Sequence, residues 1–156
     1  MLSAMPPDLR IRRLKPADAA RVQAFVRRLS AHARVERYFA PIRELSPRQL
    51  ERITRAGDPR DIALAVLAGE DLVALAECAA GEFAVVVADA WQGLGVGEAL
   101  VLALLAHAGE QGLPALHGLV RERNRPMLRL ARRCGFGIAR EQEPGLVRVE
   151  RALAHA

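Results

Sequence analysis

Three alternate glycines run through Gln92-Gly93-Leu94-Gly95-Val96-Gly97, directly after the apolar run Phe83-Ala84-Val85-Val86-Val87 and directly before a long apolar segment. A glycine-rich bend between a strand end and a helix start collects unpaired backbone N–H groups at the positive end of a helix dipole. Such a place suits an anion, and the missing Cβ atoms let a phosphate come close. Two common phosphate motifs do not fit. Read from Gly93, GxGxxG/A puts Glu98 in its last position; read from Gly95 it puts Leu100 there, and GxxxxGK[ST] fails because no lysine follows. Two readings stay open: a pyrophosphate seat at Gly93 to Glu98, or a tight strand-to-helix connection that needs small residues for packing.

Other chemistry-bearing residues are sparse. Cys78 and Cys134 form no CxxC pair, and His32, His107, His117 and His155 show no ligand spacing. No metal centre is expected, and both thiols are expected to be buried and inert. The formal net charge is +5, nearly all of it from arginine, since Lys15 is the only lysine. Aromatic residues make up 4% of the chain and no basic stretch interleaves them, so the stacking platform of a single-strand or RNA binder is missing and nucleic acid is not expected as a partner.

The elements that must position the glycine bend follow from patterning. Residues Leu9 to Leu14 read as a strand and Pro16 opens a helix, in which Val22, Phe25, Val26 and Leu29 form one apolar stripe. His32 to Pro41 is less regular. A second helix starts at Pro47 with Ser46 as N-cap and Gln49 near a capping box. IALAVLA and LVALAECA flank a turn at Gly69-Glu70-Asp71, and EFAVVVA follows Ala80-Gly81, which predicts three antiparallel strands. Gly97 to Gln111 reads as a buried helix, Leu116 to Val120 as a strand, and Arg125 to Cys134 as a helix closed by Gly135. Two short strands, Gly137 to Arg140 and Leu146 to Val149, complete a mixed α/β (α+β) sandwich around one sheet.

With 156 residues, 51% of them hydrophobic, the expectation is one soluble domain over residues 9–150, with tails at 1–8 and 151–156. The longest apolar stretch, Ala99 to Ala108, is about half of the roughly 20 residues a membrane span requires. The N-terminal MLSAMPPDLR lacks a signal-peptide core, so a cytoplasmic protein is the expectation.

Gln92-Gly93-Leu94-Gly95-Val96-Gly97 resembles the Q/RxxGxG/A signature of the GCN5-related N-acetyltransferases (GNAT). NRPMLRLARRCGF, Asn124 to Phe136, resembles that family's later motif, in which an asparagine opens a helix and a glycine-aromatic pair closes it. From VERYFAPIRELSP through EFAVVVADAWQGLGVG to NRPMLRLARRCGF, the chain is most similar to the acetyltransferase domain of bacterial Pat-type protein lysine acetyltransferases. The resemblance implies a mostly antiparallel central sheet flanked by helices, and acetyl-CoA as co-substrate.

It further implies that backbone N–H groups from Gly93 to Glu98 hold the pyrophosphate, that the edge at Val85, Val86 and Val87 pairs with the pantetheine arm, and that Asn124 reaches the cofactor. Asn124 is equally suited to cap its helix, and Arg121, Arg123, Arg125 and Arg129 are suited either to neutralise cofactor phosphates or, more simply, to form a solvated basic face. An amine acceptor, most simply a protein lysine, is charged at neutral pH and must lose a proton before it attacks. Glu82 resembles the strand-borne glutamate that serves as base in this family, and Glu77 is the second candidate. A backbone N–H near Val86 or Val87 would stabilise the developing oxyanion. Where many family members carry a tyrosine as general acid, this chain has Ala131, as Pat-type domains do, which leaves the acid unassigned. A small amine, a protein N-terminus, or a non-catalytic acyl-CoA-binding role are the alternatives.

Overall fold

The computed structural model describes residues 6–55 and 57–153, so His155 and the outer parts of both expected tails lie outside the described residues. The chain forms β1 (Leu9–Arg13), a 3₁₀ turn (Pro16–Asp18), α1 (Ala19–Arg28), α2 (Ala31–Tyr38), α3 (Pro47–Thr54), β2 (Ile62–Ala68), β3 (Asp71–Ala79) and β4 (Glu82–Val87). After a second 3₁₀ turn (Asp89–Trp91) come α4 (Val96–Glu110), β5 (Ala115–Arg121), α5 (Arg125–Arg133), β6 (Gly137–Arg140) and β7 (Leu146–Ala152).

Local chemistry sets these boundaries. Ser46 and Gln49 exchange hydrogen bonds between side chain and backbone, the capping box that starts α3. The helix expected from Pro16 begins as a 3₁₀ turn, because the Asp18 carboxylate accepts from Lys15 N at 2.8 Å and holds the first turn tight. One helix was not legible. In α2 the Ser30 hydroxyl accepts from Ala33 N at 3.0 Å and a left-handed Phe39 ends the helix, yet only Ala33 is buried, so there is no apolar stripe to read. At the other end of the chain β7 runs on to Ala152, beyond the expected Val149, because it pairs with β5 along its whole length.

One seven-stranded sheet in the order β1-β2-β3-β4-β5-β7-β6 organises the molecule. Every pairing is antiparallel except β4 with β5. On one face, α4 and α5 bury Leu100, Leu104, Ala131 and Cys134 against Leu64, Val66, Phe83, Leu116 and Val149. On the other, α1–α3 bury Val22, Phe25, Val26 and Ile53 against Ala65, Leu67, Leu75 and Val86. The sheet residues of this second core all belong to β2, β3 and β4. Among the described residues, the outer face of β5–β7 therefore has no helix over it. Among the described residues no helix is long and apolar enough to cross a membrane.

β4 and β5 are joined at one residue pair, Glu82 with His117, where His117 N donates to Gly81 O at 2.9 Å. Beyond that pair the strands part. Gly118 fixes how closely they meet: a Cβ there would stand 2.9 Å from Phe83 O and 3.0 Å from the Phe83 ring.

Candidate active site

The open edge of β4 is defined by hydrogen-bond alternation. Ala88 N donates to Val73 O at 3.0 Å, so Ala88, and with it Val86 and Ala84, directs its backbone groups toward β3. Phe83, Val85 and Val87 direct theirs toward the gap before β5. Of the three valines read from sequence, Val85 and Val87 thus offer N–H groups on the free edge, whereas the Val86 N–H is committed to β3 and the Val86 side chain to the α1–α3 core. Of the two residues read as oxyanion donors, Val86 and Val87, only Val87 has an N–H on the free edge.

At the end of β4 lies the glycine bend. The Gln92 side chain turns back and donates to Val87 O at 3.0 Å, tying bend to strand. Gly93 (φ 77°) and Gly95 (φ 80°) occupy the left-handed region, Leu94 is exposed, and Gly95 is the N-cap of α4 with no side chain satisfying the first turn. The N–H groups of Val96, Gly97 and Glu98 therefore remain available at the positive end of a helix of 15 residues. A Cβ on Gly93 would meet nothing within 4 Å, so there is room for a ligand. Gly97 has another reason to be glycine: a Cβ there would stand 3.1 Å from Leu130 Cδ2 and 3.4 Å from Val87 Cγ2. Its bareness serves the packing of α4 on α5 and β4, which is the tight-connection reading of the bend. The Glu98 side chain is only 4% exposed and turns away from the bend, with Arg133 Nε 3.8 Å from its Oε1.

Asn124 caps α5, its Oδ1 accepting from Met127 N at 3.3 Å. Arg121, Arg123, Arg125 and Arg129 enter no ion pair among the described residues, as expected of a solvated face. Cys78 and Cys134 are buried and unbonded. Burial raises the pKa of both thiols, that of Cys134 to about 11, which removes their nucleophilic character. Among the described residues no group of acidic, histidine or cysteine side chains could hold a metal ion.

The two candidate bases lie on the same face of the sheet but in different surroundings. Glu77 is half-buried beneath α2 and α3, in an ion pair with Arg37 and beside Tyr38, Gln49 and Arg52. Burial lowers the Arg37 pKa, and the Arg37 guanidinium also lies over the Tyr38 ring, 4.5 Å from its centroid. Glu82 is exposed at the start of β4 and takes part in no hydrogen bond or ion pair among the described residues; with His117, Leu119, Glu141, Glu143, Leu146 and Arg148 it lines a cavity of about 140 Å³. Sequence reasoning missed Arg37, which sits on the unrecognised α2; the Ser30 cap was the available signal. It also missed the juxtaposition of His117 with Glu82, because strand register between distant segments leaves no local mark.

A split parallel pair inside an antiparallel sheet, with an uncapped helix N-terminus at its mouth, offers free backbone groups that an extended ligand ending in phosphates could use. Comparison with known proteins places the chain accordingly. A family model described as Acetyltransferase (GNAT) family matches residues 27–136. An acetyltransferase of Pseudomonas aeruginosa is 29% identical over 144 residues, which cover 86% of this chain and 76% of that protein. Among solved structures, the GNAT domain of S. lividans PAT superposes with a TM-score of 0.87 at 30% identity, covering 93% of this chain and 90% of that one. The Salmonella typhimurium acetyltransferase yncA, solved with acetyl-CoA, gives a TM-score of 0.74 at 17% identity, over 95% of each chain, and shares the fold. The chain belongs to the GNAT acetyltransferase family. It is an acetyl-CoA-dependent N-acetyltransferase with an amine as acceptor.

Proposed function

We propose that the acceptor is a protein lysine side chain and that Glu82 takes its proton. Acetyl-CoA supplies an acyl group activated as a thioester, and the residues present suit it. The free Val85 N–H and C=O and the Val87 N–H pair with the amides of its pantetheine arm as a further strand would. Gly93 to Glu98 receive its pyrophosphate on the uncapped turn of α4, and the Asn124 side-chain NH₂ is left to donate while its oxygen caps α5.

The observation that carries this reading is the contrast between the two glutamates. Arg37 holds Glu77 in an ion pair beneath α2 and α3, on β3 and one strand back from the seam. Glu82 has no such partner and stands where the strands separate. The uncovered face of β5–β7 leaves this place open to a large acceptor, which favours a protein over a small amine. Similarity to Pat-type sequences and 30% identity to the S. lividans PAT domain point the same way. A reducing cytoplasm would suit two buried, unpaired thiols.

Acetyl-CoA offered with lysine-bearing protein and peptide substrates, a polyamine, and a peptide with a free N-terminus tests the acceptor, with thiol release and acceptor mass as readouts. Lysine Nε acetylation by the wild-type enzyme is the expected result. Acetylation confined to the polyamine or the α-amine would overturn the acceptor assignment, and acetyl-CoA binding without transfer to any acceptor would favour a regulatory module.

A further inference from the structure

The reaction at this site leaves a proton on Glu82, which must be emptied before the next turnover. When R–NH₃⁺ becomes an amide, two N–H protons leave, a C–N bond forms and the C–S bond breaks. One proton ends on the departing sulfur and the other must reach solvent.

His117 lies where that second proton would travel. It is the Cα partner of Glu82 across the β4–β5 junction and of Glu150 across the β5–β7 ladder. Partners in a sheet present their side chains on the same face, on strands about 4.8 Å apart. Glu82, His117 and Glu150 therefore form a row across three strands, on the face that α1–α3 leave uncovered beyond β4. The imidazole leans toward the β3–β4 turn, next to Glu82: its Cε1 and Nδ1 lie 3.8 Å from where a Cβ on Gly81 would be. Its ring makes no hydrogen bond among the described residues, and it shares the cavity of about 140 Å³ with Glu82.

The two carboxylates that flank it differ. Glu150 is paired with Arg148 at 2.9 Å, while Glu82 is unpaired. The other charged groups facing the row are Glu141 and Glu143 from the β6–β7 connection, which line the same cavity, and Arg37 from α2, whose field reaches Glu82. An imidazole is ordinarily about two pK units more basic than a carboxylic acid, so proton transfer from a protonated carboxyl to a neutral imidazole runs downhill.

We infer that His117 is the relay that empties Glu82: the acceptor's proton passes to the Glu82 carboxylate, from there to the His117 imidazole, and then through the cavity to water. His117 touches neither acceptor nor thioester in this scheme, and acts through Glu82. The inference rests on Glu82 being the base.

The test begins without any acceptor. The imidazole C–H resonance of His117, identified by its loss in His117→Gln, is titrated by NMR in the wild type, in Glu82→Gln and in Glu150→Gln. The Glu82 and His117 side chains share one cavity, so Glu82→Gln is expected to perturb the His117 ring resonances. Glu150→Gln is expected to perturb them less, because Glu150 is already paired with Arg148. His117 resonances unchanged in Glu82→Gln, or perturbed more by Glu150→Gln, would overturn the relay.

The kinetic arm uses the acceptor on which Glu82→Gln is assayed. His117→Gln is expected to lower kcat by about 10-fold or more with little change in the KM for acetyl-CoA, and added imidazole to restore part of the rate of His117→Ala. Unchanged kcat and pH profile in His117→Gln beside an impaired Glu82→Gln would overturn the relay alone. A fully active Glu82→Gln would overturn the base itself, whatever the NMR titration shows.

Discussion

From β1 to β4 the sheet is continuous: each strand pairs with the next along its length, helices cover both faces, and Leu64, Ala65 and Val66 have no exposed surface. The β5–β7 half is equally well paired within itself, yet it meets the first half at one residue pair and carries a helix on one face only. Backbone groups that a closed sheet would satisfy are left unpaired along the seam between the halves. An unpaired edge beside an apolar core invites another extended chain. The N-terminal half is built for stability, and the seam gives up some of it for binding and chemistry.

The contrast can be broken most forcefully at Glu82. Glu82→Gln keeps size and hydrogen-bonding capacity but cannot accept a proton, so kcat should fall by about 10²- to 10⁴-fold with cofactor affinity nearly constant. The variant should recover partly at high pH, where more of the acceptor amine is already neutral. Steady-state kinetics across pH, beside calorimetry with acetyl-CoA, read both quantities. Retained kcat would move the assignment to Glu77 or to water.

Next comes a test of the continuous half. Asp18 is 2% exposed and accepts from Arg12 at 2.7 and 2.8 Å, from Lys15 N and from Arg21, and the Arg12 guanidinium above all holds its carboxyl well below the usual carboxylate range. A depressed folded-state pKa contributes stability that is complete above the ordinary carboxyl pKa, near 4, and is lost as pH falls through the lower, folded value. Asp18→Asn should cost about 3 kcal/mol at pH 7, by breaking a buried ion pair, and the gap to wild type should narrow in acid. Urea denaturation at neutral and acidic pH checks both.

A smaller effect is expected at the junction of the halves. Gly118→Ala should cost about 1–3 kcal/mol, because its Cβ meets the Phe83 carbonyl, which is backbone and cannot swing aside. It should also spread Glu82 from His117 and lower kcat. The smallest effect falls in the glycine bend. Gly93→Ala meets no neighbour, so only its left-handed backbone should be penalised, by about 1 kcal/mol. Gly97→Val should instead loosen α4 from Leu130, so a loss of acetyl-CoA affinity there would report packing, not phosphate crowding.

How far the sequence carried this account follows the same division. The hairpins, α4, the capping box at Ser46 and the glycine-closed α5 were legible because turn residues, caps and apolar runs are local signals. So was the bend, because left-handed backbone at Gly93 and Gly95 demands glycine. α2 was not legible, since one buried residue gives no stripe. Neither was the pairing of Arg37 with Glu77, of Glu82 with His117, or the commitment of Val86 to β3. These depend on register between segments far apart in the chain, and only the folded sheet brings them together.

Amide hydrogen exchange at β4, with and without acetyl-CoA, tests the central claim that the seam is the cofactor's seat. In the free protein Val86 should exchange slowly and Val85 and Val87 faster, because only the Val86 N–H is bonded to β3. On addition of acetyl-CoA, Val85 and Val87 should gain protection while Val86 changes little. Saturating acetyl-CoA that leaves Val85 and Val87 as fast as before would contradict the claim and place the cofactor elsewhere.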